Sequence, residues 1–171
     1  KPTLKAMRDK GHPYKGFLYV GIMIVDNNPY VIEFNVRMGD PETQVVIPLL
    51  KSSLYRLLND SLEGNIIKTD IDISRQTAVT IVLASEGYPG KYPKGMTIDG
   101  INDENRENIF HAGTSLKNEN IVSSGGRVLN VIGFGDNLEK AIKHAYDLAN
   151  QINFKNKFFR SDIGRKGLSY K

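Results

Sequence analysis

The sequence predicts an α+β chain in two modules, and three observations carry that prediction. Two extended segments flank a turn at residues 26–29, two leucine- or alanine-rich stretches recur at helical spacing, and short branched-residue segments beyond residue 77 alternate with Gly, Asn and Pro breaks. A chain of 171 residues is long enough for one good-sized domain or two small ones. With 40% hydrophobic and 25% charged residues the composition is that of a globular protein and argues against long disorder.

The same bulk properties exclude several function classes. No apolar run approaches the roughly 18 residues a membrane-spanning helix needs, and the first residues show no signal-peptide pattern, so the expectation is a cytoplasmic protein with no membrane partner. The absence of cysteine removes disulfides and thiolate metal sites. A net charge of +4 raises the question of nucleic acid. The basic residues are dispersed, however, with mild clusters at the two ends (Lys1, Lys5, Arg8, Lys10 and Lys155, Lys157, Arg160, Arg165, Lys166, Lys171) that read as solvated termini. No nucleic-acid partner is expected, and the charge suits anionic small molecules equally well.

Along the chain, residues 3–10 read as the end of a helix closed by Gly11 and Pro13, which suggests that the sequence starts inside an element. Residues 16–25 (GFLYVGIMIV) and 30–36 are extended around the Asp26-Asn27-Asn28-Pro29 turn, giving a β-hairpin. Asp40 sits where an N-cap belongs, with Pro41 at the first helical position and Glu42 in the first turn, so a helix is expected from there to about Leu50. A second helix through Ser53–Glu63 presents Leu54, Leu57, Leu58 and Leu62 as a face to be buried, and Gly64 stops it. The first module is placed at residues 1–70.

The second module, residues 71–171, is expected to be a small antiparallel β-sheet domain with one helix. Its strands are placed at 77–84, 109–112 and 127–133, with a hairpin around Lys117–Asn120. Its helix runs from Leu138 to Ile152 on a stripe of Leu138, Ala141, Ile142, Ala145, Leu148, Ala149 and Ile152, and Asp136 with Glu139 resembles a capping box.

The chemistry concentrates at residues 33–42. Alternate strand residues share a face, so Glu33 and Asn35 emerge together, and a carboxylate beside an amide carbonyl is the hard-oxygen pair that magnesium accepts while keeping positions for water and phosphate. Arg37 follows on the same face if the strand persists, Gly39 permits close backbone approach, and a helix starting at Pro41 would aim its free amides at the same place. The bland reading of each piece is a surface strand and an ordinary helix start. Their convergence within ten residues points to a magnesium–phosphate site.

At these residues the chain resembles a known family. The stretch YKGFLYVGIMIVDNNPYVIEFNVRMGDPETQVVIPLLKS (14–52), followed in order by FHAGTSL (110–116), SSGGRVLNV (123–131) and FFRSDIG (158–164), is similar to the carboxy-terminal part of the phosphoribosylamine–glycine ligases, members of the ATP-grasp superfamily. The resemblance covers nearly the whole chain. It implies that the first module is the carboxy-terminal half of an ATP-grasp core, an antiparallel hairpin plus helices. It also implies that the amino-terminal domain, the lid over ATP and the first part of the core lie outside these residues.

Carried over residue by residue, the resemblance implies that Glu33 and Asn35 bind magnesium (or manganese) on the phosphates of ATP. Arg37 with Gly39, Asp40, Pro41, Glu42 and Thr43 matches the loop bordering the reacting centre, with Met38 where an aromatic residue is frequent. Ile22 and Met23 are the candidates to pack on adenine, and the turn length leaves open which of them faces it. The implied reaction phosphorylates the carboxylate of glycine with ATP, then joins the acyl phosphate to the amine of 5-phosphoribosylamine, with Arg37 stabilising developing charge. No side-chain nucleophile is required.

In the second module the Ser123-Ser124-Gly125-Gly126-Arg127 segment offers unhindered backbone amides followed by a cation, with Gly125, Gly126 and Arg127 as the candidates to hold a phosphate, and it is equally a hairpin turn. His111 reads as a structural hydrogen-bonding residue, and His12 and His144 have no constellation around them. Arg160 and Asp162 are expected to tie the tail to the body by an ion pair. Two competitors remain: another ATP-grasp ligase of the purine pathway, and a binding module without chemistry, since these 171 residues lack the lysines and lid that enclose ATP. On either count the isolated chain is expected to be inactive.

Overall fold

The computed structural model describes residues 2–169 and is α+β, with antiparallel sheets throughout. The chain divides into two compact units. One holds the residues up to 43 together with 50–73, the other 44–49 and the residues from 74 on.

The first unit opens with helix α1 (Pro2–Asp9), which Gly11 ends at a φ of +83°. Strands β1 (Tyr19–Val25) and β2 (Asn28–Asn35) then form a two-stranded antiparallel sheet. Helix α2 (Thr43–Leu49) follows in the chain, its residues 44–49 belonging to the second unit, and helix α3 (Leu54–Glu63) with a short 3-10 helix (Ile66–Lys68) completes the regular elements up to residue 73. The α3 ends behave as their residues dictate: the Ser53 hydroxyl accepts from the Arg56 amide, and Gly64, left-handed at φ 80°, closes the last turn on the Asp60 and Ser61 carbonyls. The Lys15 ammonium reaches the Leu62 carbonyl near that end.

The leucine face of α3 is not buried, contrary to its periodicity. Leu58 is 39% and Leu62 58% exposed, and no residue of the helix is buried. The reason is the shortage of partners. This unit holds only a two-stranded sheet among its described residues, and two strands cannot cover an amphipathic helix and bury their own faces as well. Ile24, Val31 and Ile32 are each more than half exposed on that hairpin.

The second unit has a real core. Strand β3 (Thr77–Ser85) lies in a four-stranded sheet with β4 (Ile109–His111), β7 (Arg127–Gly135) and β8 (Lys157–Phe158), in the order β4-β7-β3-β8. A separate hairpin joins β5 (Thr114–Lys117) to β6 (Asn120–Ser123) through Asn118 and Glu119, both at positive φ. Helix α4 (Leu138–Gln151) packs Ala141, Ala145, Leu148 and Ala149 against Val79, Ile81, Leu83, Leu129 and Val131. The short α5 (Arg165–Leu168) ends the described chain.

Helix and sheet approach closely because the facing residues are small. A Cβ on Gly133 would lie 2.1 Å from the Ala145 amide nitrogen and 2.3 Å from the Ala141 carbonyl oxygen, backbone atoms that cannot swing aside. At the start of α4 the N-cap is Asn137, whose side chain accepts from the Lys140 amide at 2.9 Å. Asp136, expected there as half of a capping box, lies one residue too early and instead pairs with the Lys140 ammonium at 2.6 Å. Lys157 Nζ donates to the Ala149 carbonyl at 2.9 Å and to that of Ile152, satisfying the other end of the helix.

The tail is held differently from expectation. Arg160 and Asp162 form a bidentate pair at 2.9 and 2.7 Å, but two residues apart, so the pair stays within the tail. The tether is Tyr146 on α4, whose hydroxyl donates to the Arg160 carbonyl at 2.9 Å and accepts from the Ile163 amide at 3.0 Å.

Two outcomes follow for denaturant unfolding of the second unit. Asn137→Ala is expected to cost about 1 kcal/mol, whereas Asp136→Ala leaves the midpoint nearly unchanged; the reverse order would return the cap to Asp136. Gly133→Ala is expected to cost at least about 2 kcal/mol by overpacking, and a neutral result would mean that α4 is free to lift off the sheet.

Candidate functional site

The hairpin of the first unit sets the site. Asp26 (φ 49°) and Asn27 (φ 60°) are both left-handed, the two-residue turn whose twist suits a tight antiparallel pair. From that turn Val25 pairs with Asn28 and Ile22 with Val31, a register that would set Glu33 opposite Val20 if it continued. A bulge between Gly21 and Ile22 shifts it by one, with Ile32 as the extra residue, so that Glu33 lies across from Gly21 and Asn35 across from Tyr19. Gly21 leaves room for the Glu33 stem: a Cβ there would be 3.0 Å from Glu33 Cγ.

Glu33 and Asn35 do meet. Asn35 Nδ2 donates to Glu33 Oε1 at 2.8 Å, leaving the second carboxylate oxygen and the amide carbonyl as the oxygens the pair can offer a cation. No group of three or more His, Cys, Asp or Glu side chains suited to a metal occurs among the described residues. The donor set therefore fits a small hard cation that takes one or two protein oxygens and fills its remaining positions with water and phosphate.

The loop after β2 departs from the expectation in two respects. The strand ends at Asn35 and the chain bends at residues 36–37, so Arg37 is not carried onward along the face of Glu33 and Asn35. One guanidinium nitrogen of Arg37 donates to the Met38 carbonyl at 2.9 Å. The helix begins at Thr43 rather than Pro41, because residues 40–42, with a cis Asp40–Pro41 peptide, form a turn closed by the Thr43 amide on the Gly39 carbonyl at 3.0 Å. The Thr43 hydroxyl contacts the same carbonyl. Asp40 is thus not the N-cap, and the seven-residue α2 offers no helix end for an anion.

This turn brings in a residue that the sequence did not flag. The Tyr19 hydroxyl donates to Glu42 Oε1 at 3.1 Å, and Gly39 is buried beside them, the one buried residue among those described in this unit. A Cβ on Gly39 would sit 2.3 Å from Glu42 Oε2 and 3.0 Å from Tyr19 Cε2. The hydrogen bond to Glu42, with lesser contributions from burial and from the charges of Glu42 and Glu33, raises the Tyr19 phenol above the ordinary tyrosine pKa. Only the hairpin register reveals Tyr19, since it places this ring across from Asn35. Ile22 and Met23 are 55% and 52% exposed and, as strand neighbours, point to opposite faces.

In the second unit the Ser123–Arg127 segment is a packing turn. The Ser124 and Gly125 amides donate to the Gly113 carbonyl at 2.7 and 3.0 Å, so two of the amides expected to cradle a phosphate are committed. The glycines are demanded by contact: a Cβ on Gly113 would fall 2.6 Å from the Gly125 Cα, and one on Gly126 2.1 Å from the Tyr88 ring. Arg127 begins β7 across from Ala84. His111 Nδ1 lies 2.9 Å from the Thr114 hydroxyl, a structural contact as expected. An open cleft of about 470 Å³ beside α4 is lined in part by His144 and Asp147, but His144 is bonded to the Phe134 carbonyl and Asp147 to Lys143.

Comparison with known proteins fits this geometry. Residues 78–166, more than half of the chain, match the family described as phosphoribosylglycinamide synthetase, C domain, and residues 1–43 match its ATP-grasp (A) domain. The chain is 44% identical over 171 residues to the phosphoribosylamine–glycine ligase of Chlorobaculum tepidum, covering 98% of this chain and 40% of that protein. It is 42% identical to the bifunctional purine biosynthetic protein purD of Dictyostelium discoideum, over 99% of this chain and 22% of that one. A crystal structure of phosphoribosylamine–glycine ligase from Thermotoga maritima matches with a TM-score of 0.83 and 38% identity, over 94% of this chain and 40% of that one. The chain thus spans well under half the length of these relatives. On its matched domains and its fold, it belongs to the phosphoribosylglycinamide synthetase family.

Proposed function

We propose that this chain supplies the cation and phosphate wall of an ATP-dependent ligase that joins glycine to 5-phosphoribosylamine in purine biosynthesis. The supporting observation is the Glu33–Asn35 pair, set by the bulge on the face that also holds Tyr19. In the reaction an oxygen of the glycine carboxylate attacks the γ-phosphorus of ATP and the bond to the β-phosphate oxygen breaks, releasing ADP. The amine of phosphoribosylamine then attacks the carbonyl carbon of glycyl phosphate. The acyl C–O bond breaks, phosphate departs with the former carboxylate oxygen, and the nitrogen loses a proton.

Glu33 and Asn35 would hold magnesium, or manganese in its place. When bound, that ion neutralises phosphate charge and aligns the transferred group. Arg37 commits one donor to Met38 and has others for an anion that develops at the acyl phosphate. Gly39, Asp40, Pro41, Glu42 and Thr43 form the turn bordering the reacting centre. Because the extra residue of the bulge lies on β2, β1 keeps its alternation, and Met23 shares the Gly21 side; we assign the adenine contact to Met23 over Ile22. Among Gly125, Gly126 and Arg127, the cation Arg127 is assigned to an anionic substrate group. The exposed hairpin residues Ile24, Val31 and Ile32 are assigned to contact with some of the further length that relatives such as the Chlorobaculum ligase have beyond the matched part.

The test uses the full-length protein that contains this chain. With glycine labelled by ¹⁸O in its carboxylate, one labelled oxygen is expected in each phosphate released; unlabelled phosphate would exclude the acyl-phosphate route. Glu33→Gln and Asn35→Ala are each expected to lower kcat at least about 100-fold with an unchanged unfolding midpoint, and turnover like the wild type at limiting magnesium would remove both from the site.

A further inference from the structure

We infer that Tyr19 is a positioning residue of this site: its phenol, donated to Glu42, fixes that carboxylate and with it the Gly39–Thr43 turn beside the Glu33–Asn35 pair. The inference rests on the ligase reading above. Three features of the structure support it. Tyr19 lies across from Asn35 in the hairpin and its hydroxyl donates to Glu42, so one residue links the strand that carries Glu33 and Asn35 to the loop. Gly39 is buried against the Tyr19 ring and the Glu42 carboxylate with no space for a methyl group, so that ring, glycine and carboxylate form one packed contact. Glu33 lies across from Gly21, which shares the Tyr19 face of β1, so the Glu33 and Glu42 carboxylates both lie on the side of the phenol.

The chemistry of the donor suits the task. Two carboxylates near one cation site repel each other, and an arginine or lysine holding Glu42 would cancel the charge that a cation or a substrate ammonium needs. A phenol is neutral. It orients the carboxylate through one hydrogen bond and leaves its full negative charge in place.

The experiment compares Tyr19→Phe, Glu42→Ala, the double variant and Gly39→Ala in the full-length protein. Tyr19→Phe is expected to lower kcat about 10-fold, the worth of one hydrogen bond to a charged group, without change in the KM for ATP or the unfolding midpoint. The double variant should be no slower than Glu42→Ala alone, because Tyr19 acts through Glu42. Gly39→Ala should reproduce the Tyr19→Phe loss, since its Cβ displaces the mobile end of Glu42 rather than backbone. Apart from activity, the Raman tyrosine doublet in the difference between wild type and Tyr19→Phe should be that of a phenol donating a strong hydrogen bond, and Glu42→Ala should shift it. Wild-type kcat in Tyr19→Phe, additive losses in the double variant, a loss that merely tracks the unfolding midpoint, or a tyrosine doublet that Glu42→Ala leaves unchanged would each overturn the inference. A wild-type protein without ligase activity would overturn the ligase reading and this inference together, whereas an active wild type with a neutral Tyr19→Phe overturns the inference alone.

Discussion

Side chains alternate across a strand, so the site depends on which residues of β1 and β2 lie opposite each other. The bulge at Ile32 decides this. The tight Asp26-Asn27 turn alone would set Glu33 opposite Val20, in an apolar position on the other side of β1. One extra residue restores the pairing of Glu33 with Gly21 and of Asn35 with Tyr19, so that carboxylate, amide and phenol share a face. The Gly39 turn then folds back through the Tyr19–Glu42 hydrogen bond, and a side chain at position 39 would have to push the Glu42 carboxylate aside.

The two units are stabilised in different ways. The second is a closed packing problem, in which fully buried Leu83, Leu129, Val131, Ala141, Ala145 and Ile152 fill the space between sheet and helix, and Gly133 lets the two backbones approach. The first leaves both its hairpin and its α3 leucines open to water. A two-stranded sheet is marginal alone, and Ile24, Val31 and Ile32 stay exposed on it. That contrast accompanies a chain that spans 40% of its Chlorobaculum relative and whose first 43 residues match the ATP-grasp (A) domain of the family.

Most elements were legible because their signals are local. The alternating segments, the Gly64 stop and the alanine stripe of α4 each follow from side-chain periodicity or backbone preference, and the structure agrees on them. The failures were of longer range. Asp40-Pro41-Glu42 has the composition of a helix start, yet the chain turns there and the helix begins at Thr43, where the amide already has the Gly39 carbonyl. The Ser123–Arg127 glycines resemble a phosphate loop, but Gly113 and Tyr88, distant in sequence, require them for contact. Tyr19 escaped notice because its role depends on a bulge, and a bulge has no compositional signature of its own.

The proposed task of Glu33 and Asn35 is to hold the cation that accompanies ATP. Paramagnetic titration of the full-length protein with manganese in the presence of ATP tests it without reliance on turnover. Wild type should bind the manganese–nucleotide complex with an affinity that falls at least about tenfold in both Glu33→Gln and Asn35→Ala, while Val20→Ala, on the opposite face of the hairpin, leaves it unchanged. Equal manganese affinity in wild type and both site variants would contradict the claim.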